Sequence, residues 1–216
     1  KNQIKLLIHE IKSPWANLLL TKGKNNPEKS LSKEYLEKLR SALDIQLNPK
    51  EIKSILNVLY SCPKNCQFLV FGLGYDSILW HSFNLDGRTL FLESDKFWQE
   101  KITHKYKQIE AISVTYETKR SQWKDLLDNN CPPLCLPKQI TEQKWDVILV
   151  DGPPGHFDDE PGRMQSIFMA SQLVKKGGSV FIHDIHRQVE KSYANQYFKK
   201  EDQVERVGLL QHYRVT

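Results

Sequence analysis

Two blocks of the sequence gather groups that can move protons or hold cations. Asp151-Gly152-Pro153-Pro154-Gly155-His156 follows the apolar run Trp145–Val150, and His183-Asp184-Ile185-His186 closes the run that starts at Ser179. Carboxylates and imidazoles so placed can take the proton of a hydroxyl as it attacks an electrophile, or share a divalent ion. Asp151, Asp184, His183 and His186 are therefore the candidate catalytic residues, and Asp151 with Asp184 the candidate metal ligands. Two carboxylates alone are far from a metal site. Helix capping or loop hydrogen bonding accounts for either aspartate singly; two of them facing one cleft with two histidines read as functional. His156 and Asp158-Asp159 lie nearby, where a charged surface loop explains them equally well.

A third block, Gly72-Leu73-Gly74-Tyr75-Asp76-Ser77, follows the short apolar run Gln67–Phe71. Glycines there let the chain turn sharply and come close to a bound cofactor beside the next helix. Glu93, nineteen residues after Gly74, ends the next strand, where an acidic side chain receives the ribose hydroxyls of an adenosine-type cofactor. A dinucleotide site favours Gly or Ala at the sixth motif position, which here is Ser77, and Asp76 would put a negative charge where diphosphate wants donors. S-adenosylmethionine carries a sulfonium and an ammonium and no phosphate, so acidic neighbours suit it. The cofactor-binding set is accordingly Gly72, Gly74, Asp76, Ser77, Glu93 and Asp151, with S-adenosylmethionine preferred to NAD(P).

These blocks require a particular frame. Strands are expected at Gln67–Phe71, Arg88–Glu93, Ile109–Val114, Trp145–Val150 and Ser179–His183. Helices follow Asp95 and fall at Pro161–Val174 (stopped by Lys175-Lys176-Gly177-Gly178) and His186–Phe198, and two short strand-like pieces flank Gly208. Such alternation predicts an α/β, Rossmann-like, mostly parallel doubly wound sheet, with catalytic loops along its carboxyl edge. The front third reads differently. Ile4–Leu20 is apolar and interrupted by Pro14, and Lys22–Ser30 is a polar loop. Ser32 caps a helix through Ala42, and Asn48-Pro49 opens another. Residues 1–60 are thus expected as a helical extension and 61–216 as the main domain.

At 216 residues the chain suits one ordinary domain with a sizeable core. No apolar run reaches the ~18–20 residues that span a bilayer. The chain begins at Lys1, so a targeting segment or upstream domain is expected to have been removed, and the compartment is not legible. The net charge of +5 lies wholly in the front: residues 1–60 carry 11 Lys/Arg against 6 Asp/Glu, and residues 61–216 carry 20 against 20. That excess suits either a solvated Lys-rich helical face or attraction to an acidic glycan, nucleic acid or membrane surface. No aromatic–basic interleaving of the RNA-binding kind accompanies it, so no nucleic-acid partner is expected. Cys62-x3-Cys66 and Cys131-x3-Cys135 fit disulfides, free thiols or, at a wider spacing than usual, zinc.

The combination resembles a known family. Phe68-Leu-Val-Phe-Gly-Leu-Gly-Tyr-Asp-Ser77 with Trp80, Phe83-Asn84 and Thr89–Glu93 is similar to the plant glucuronoxylan 4-O-methyltransferase family, which includes arabinogalactan glucuronate methyltransferases. So are Trp145–Asp151, Pro153, Gly155, Pro161-Gly-Arg-Met164, Ile167-Phe168, Val180-Phe-Ile-His-Asp184, Arg187 and Val189-Glu-Lys191. The resemblance covers roughly residues 50–216. It implies S-adenosylmethionine as donor, the 4-hydroxyl of a glucuronate in a glycan as acceptor, and the Golgi lumen as location for a plant-type member, the cytoplasm otherwise. Carried over, Gly72, Gly74 and Glu93 hold the donor, Asp151 and Asp184 line the reaction site, and Arg163 meets a uronate carboxylate, with His156 on the acceptor side. Otherwise Arg163 pairs with Asp158, Asp159 or Glu160. The chain departs from the plant pattern in its compact third-to-fourth strand segment and in Asp-Gly-Pro-Pro-Gly-His, both near the acceptor side. A neutral sugar, a small-molecule hydroxyl with metal assistance, and a catalytically silent scaffold in glycan synthesis are the alternatives; the intact Gly72/Gly74/Glu93 set argues against silence.

Overall fold

The computed structural model describes residues 32–216; the expectations for Ile4–Leu20 and Lys22–Ser30 lie outside them. Two helices come first, α1 (Lys33–Leu43) and α2 (Pro49–Ser61). Ser32 Oγ accepts from Tyr35 N, and Asn48 with Glu51 forms a reciprocal capping box around Pro49. The alternating part follows: β1 (Gln67–Phe71), α3 (Ser77–Phe83), β2 (Arg88–Glu93), α4 (Lys96–Lys105) and β3 (Glu110–Ser113). Short helices α5 (Trp123–Asp128) and α6 (Lys138–Thr141) lead to β4 (Trp145–Val150), α7 (Met164–Leu173), β5 (Val174–Ile182) and α8 (Gln188–Tyr197). β6 (Gln203–Val207) and β7 (Leu210–Arg214) end the chain.

The strands form one sheet in the order β3-β2-β1-β4-β5-β7-β6, parallel from β3 to β5 and antiparallel at β7 and β6. Both faces are covered, which is why β1, β2 and β4 are apolar runs and not alternating ones. Phe68, Val70, Phe91, Leu149 and Phe181 face α1–α4, so the helices before residue 61 share a core with the sheet. Leu69, Phe71, Leu92, Ile148, Val150 and Ile182 face α7 and α8. No helix among the described residues is long and apolar enough to cross a membrane.

Two boundaries differ from the sequence reading. The helix ends at Leu173, just before the expected stop, but Lys175–Gly178 already belongs to β5, which starts at Val174 and takes a register shift against β4 here, with Gly177 left-handed (φ +78°). Gly177 N donates to Val215 O at 2.6 Å and Val215 N to Gly178 O at 3.0 Å. The preceding helix starts at Met164, leaving Pro161-Gly162-Arg163 as a turn with Gly162 at φ +68°. Cys62 and Cys66 are joined in a disulfide that closes the link from α2 to β1, while Cys131 is a buried thiol and Cys135 an exposed one.

The register decides what stands at the carboxyl edge. Each central ladder continues one residue past its strand: Gly72 N donates to Leu92 O, Asp151 N to Phe71 O, and His183 N to Val150 O, at 2.8–3.0 Å. Gly72, Glu93, Asp151 and His183 are thereby set along one edge by backbone bonds alone.

Candidate active site at the carboxyl edge of the sheet

The loop after β1 is closed upon itself. Gly72 takes φ +112°, and a Cβ there would lie 3.1 Å from Asp151 O, so only glycine lets the β1 and β4 ends meet. Leu73 N donates to Glu93 Oε2 at 2.8 Å, and Gly74 N donates to Ser77 Oγ at 3.0 Å. With Gly72 N bound to Leu92 O, the N–H groups of all three residues are used inside the protein. A pyrophosphate-binding turn has to present such groups to its ligand, so this loop is unsuited to a dinucleotide.

Glu93 is buried and held from three sides. Besides Leu73 N, it accepts Ser94 N and Asp95 N on Oε1, both at 2.7 Å. Burial pushes its carboxyl upward against those bonds. A carboxylate offers about four acceptor directions, so one stays open for a ribose hydroxyl. Asp76 accepts from Trp80 Nε1 at 2.8 Å. Burial, and then the Asp151 charge, raise it to about 6. An anionic, phosphate-averse cradle is what the donor set of adenosylmethionine fits.

Across the edge, the β4 and β5 ends meet in a chain of ion pairs. His183 Nδ1 stands 3.0 Å from Asp151 Oδ1, and its Nε2 is 3.7 Å from Glu51 Oε2. Arg163 Nη2 bridges Asp151 Oδ1 at 3.1 Å and Asp184 Oδ2 at 2.9 Å. Arg187 Nη2 reaches the same Asp184 oxygen at 3.0 Å, and its Nη1 lies 3.8 Å from the buried Glu190. Burial works against charge here: at Asp151 and His183 the partners prevail, while at Glu190 burial wins and raises the carboxyl. Burial would raise Asp151, yet Arg163 and His183 hold it below the usual carboxylate range. Burial would lower His183, yet Asp151 and Glu51 lift it to about 9, so it is an imidazolium at neutral pH.

The sequence candidates are thus distributed unequally. Asp151, His183 and Asp184 share one cluster, with Asp184 in a left-handed turn (φ 58°). His186 is at the rim, its Nδ1 4.0 Å from Asp184 Oδ1 and its side chain 46% exposed. His156 is exposed and its ring lies 3.2 Å from Arg187 Nη2. Arg163 neither stands free for a uronate nor pairs with Asp158–Glu160: it is 5% exposed and occupied by Asp151 and Asp184. Arg120 takes the place at the loop instead, pairing with Asp158 and donating Nε to Phe157 O at 3.1 Å.

Glu51, Arg187 and Glu190 complete the cluster; Arg187 and Glu190 stood in the blocks that carry the resemblance but had no site role, and Glu51 had none either. Glu51 was visible as the third residue of the Asn48 capping box, a role it does fill. It also accepts Leu209 N at 2.8 Å, which the left-handed Gly208 permits, since a Cβ there would fall 2.5 Å from Glu51 Oε1. No local signal in α2 announces a reach to residues 183 and 209.

Comparison with known proteins agrees with this architecture. The family model IRX15/IRX15L/GXM matches residues 50–135 and 130–213. Glucuronoxylan 4-O-methyltransferase 1 of Arabidopsis thaliana is 34% identical over 211 residues, 88% of this chain and 74% of that protein. Protein IRX15-LIKE is 39% identical over 189 residues, 76% of this chain and 60% of that one. Arabinogalactan O-methyltransferase 1 is 36% identical over 196 residues, 79% and 67% respectively; both are from the same plant. With matches of that extent on a sheet whose edge carries the glycine loop, Glu93 and the Asp151–His183–Asp184 cluster, the chain belongs to the IRX15/IRX15L/GXM family.

Proposed function

We propose that this protein is an S-adenosylmethionine-dependent O-methyltransferase whose acceptor is a sugar hydroxyl of a glycan, with the 4-hydroxyl of glucuronate as the leading substrate. The observation that carries the reading is the edge itself: a loop whose Gly72, Leu73 and Gly74 N–H groups are all taken within the protein stands beside a partly exposed, ionised Asp151. The names of its relatives, glucuronoxylan and arabinogalactan O-methyltransferases, support the glycan acceptor.

When bound, adenosylmethionine supplies an electrophilic methyl group on a sulfonium. Gly72 and Gly74 keep the loop low, Ser77 closes it, Glu93 receives a ribose hydroxyl, and Asp76 offers negative charge to the ammonium. Asp151 takes the proton of the acceptor hydroxyl. Its side chain is 25% exposed against 9% for Asp184, and both its cationic partners sit on Oδ1, so Oδ2 is the accepting atom. A sugar hydroxyl turns strongly acidic once its oxygen begins to bond to carbon, so a weakly basic carboxylate suffices if well aimed. His183, Arg163 and Asp184 do the aiming. His156 and Arg187, at the rim, face the acceptor and its carboxylate. The Cys62–Cys66 bridge supports an oxidising compartment such as the Golgi lumen.

A second reading has one observation in its favour: donor atoms of Asp151, His183 and Asp184 lie within 4.8 Å of one another. Oxygen and imidazole donors suit a divalent ion. Against it, Arg163 already lies on both carboxylates. Labelled adenosylmethionine, offered with glucuronate-bearing, carboxyl-reduced and neutral oligosaccharides, tests the function. Repeating the assay after chelation, then restoring divalent ions, separates the two readings. No transfer to any sugar would overturn the proposal.

A further inference from the structure

The outer face of α4 carries a feature that the reaction does not use. Lys101 Nζ lies 4.7 Å from the Trp98 ring, 4.9 Å from Tyr75 and 5.2 Å from Phe97. Tyr75 and Trp98 meet edge to face at 5.3 Å. Phe97 is 63% exposed, and beside it opens a groove of about 650 Å³ lined by Phe97, Glu100, Lys101, Thr103, His104 and Lys107. The segment 96–107 holds Lys96, Lys101, Lys105 and Lys107 against Glu100 alone. An ammonium held among three rings has already lost much of the freedom that a surface lysine gives up on meeting an anion. An aromatic ring left in water next to it offers a flat apolar face.

We propose that this groove is a second, non-catalytic site that binds the chain of an acidic polysaccharide, with uronate carboxylates on Lys101 and Lys107 and a sugar face on Phe97. Charge complementarity carries the choice of ligand. Glu100 within the groove disfavours a densely charged polyanion such as nucleic acid, and tolerates a polymer whose carboxylates are separated by neutral sugars. The identity of the polymer rests on the glycan reading given above. Bound there, a polymeric acceptor stays on the protein between turnovers. The site therefore affects long acceptors and leaves short ones alone.

The test is binding of the full chain to glucuronoxylan without donor, by retardation in native gels, beside the carboxyl-reduced polymer and a single-stranded oligonucleotide. Lys101→Glu with Lys107→Glu should weaken glucuronoxylan binding by about tenfold or more, ~1.4 kcal/mol. Lys101→Met, which keeps the stem on the rings, should weaken it less, and Phe97→Ala by a few-fold. Melting curves confirm that each variant is folded. All should keep kcat on a short uronate oligosaccharide and raise KM only for the polymer. Unchanged glucuronoxylan binding in the double variant would overturn the proposal. So would equal retention of the reduced polymer, or tighter retention of the oligonucleotide. Should no acceptor be methylated while retardation still depends on Lys101 and Lys107, the catalytic reading fails and this one stands.

Discussion

Along the carboxyl edge, the β1–β2 half and the β4–β5 half are held by different forces. Around Gly72–Gly74 and Glu93, the bonds run from backbone N–H groups to one carboxylate, one hydroxyl and one carbonyl, no bond joining residues more than 20 positions apart. Around Asp151 and Asp184, they are ion pairs among side chains from α2, the β4 end, the turn before α7, the β5 end and α8. The first half is a rigid, local cradle suited to one invariant ligand. The second depends on distant segments arriving together, which lets its charge balance shift with any one of them. Two histidines show how far surroundings decide. His183, among carboxylates, is lifted to about 9. His212, on the neighbouring β7 and stacked on Phe181 at 4.3 Å, is lowered to about 4, chiefly by burial.

The contrast can be broken most directly at Asp151. Asp151→Asn should lower turnover by roughly 10²–10⁴-fold, the usual worth of a positioned proton acceptor. Donor affinity, measured by calorimetry, should change only a few-fold, because the β1–β2 half is untouched. Near-normal turnover would move the base elsewhere.

Arg163→Gln tests whether the second half stands on its ion pairs. Removing the guanidinium leaves the partly exposed Asp151 to His183 and the buried Asp184 to Arg187, so the loss should fall below the ~3–5 kcal/mol of an orphaned buried charge, at about 1.5–3 kcal/mol. Urea unfolding should register a loss of that size, and Arg163→Lys a smaller one. An unchanged midpoint would show that Arg163 is dispensable to the cluster.

His212 sharpens the histidine contrast through pH. Its folded value of about 4 lies below the unfolded 6.5. The unfolded chain therefore takes up the proton first, and stability falls as pH drops from about 6.5 to 4. The full difference is on the order of 3 kcal/mol, at about 1.4 kcal/mol per unit. His212→Leu should flatten that part of the Tm-versus-pH curve relative to the unmutated protein; parallel curves would contradict it.

The smallest effect is expected at Glu93. Glu93→Gln keeps one oxygen, enough for the Ser94 and Asp95 amides, but turns an NH2 donor towards Leu73 N–H and gives up the charge opposite the ribose. Donor affinity should fall by roughly tenfold, since a hydrogen bond to a charged group is worth about 1.5–3 kcal/mol and part of it remains. Turnover at saturating donor should be nearly unchanged.

Much of this edge was legible in the linear sequence because it is made of short-range signals. A short apolar run ended by a glycine or a charged residue, and a helix cap, announce themselves within a few positions, so Gly72, Glu93, Asp151 and His183 could each be put at or one step past a strand end. Lys175–Gly178 misled for the same reason: a Lys-Gly run reads locally as the end of an element, and only the pairing of Gly177 and Gly178 with Val215, beside Val174 on Trp145, makes it strand.

The sequence by itself determined the order of elements, the double burial of the central strands and the identity of the groups at their ends. Tertiary structure alone decided which charge meets which. Arg163 had acidic neighbours at 158–160 and went instead to Asp151 and Asp184. Glu51, a capping residue by every local sign, was brought to His183 and Leu209 by the packing of α2 against the sheet and the turn at Gly208. An ion pair depends on distance through space, and that distance exists only once parallel register has drawn segments more than a hundred residues apart to one edge.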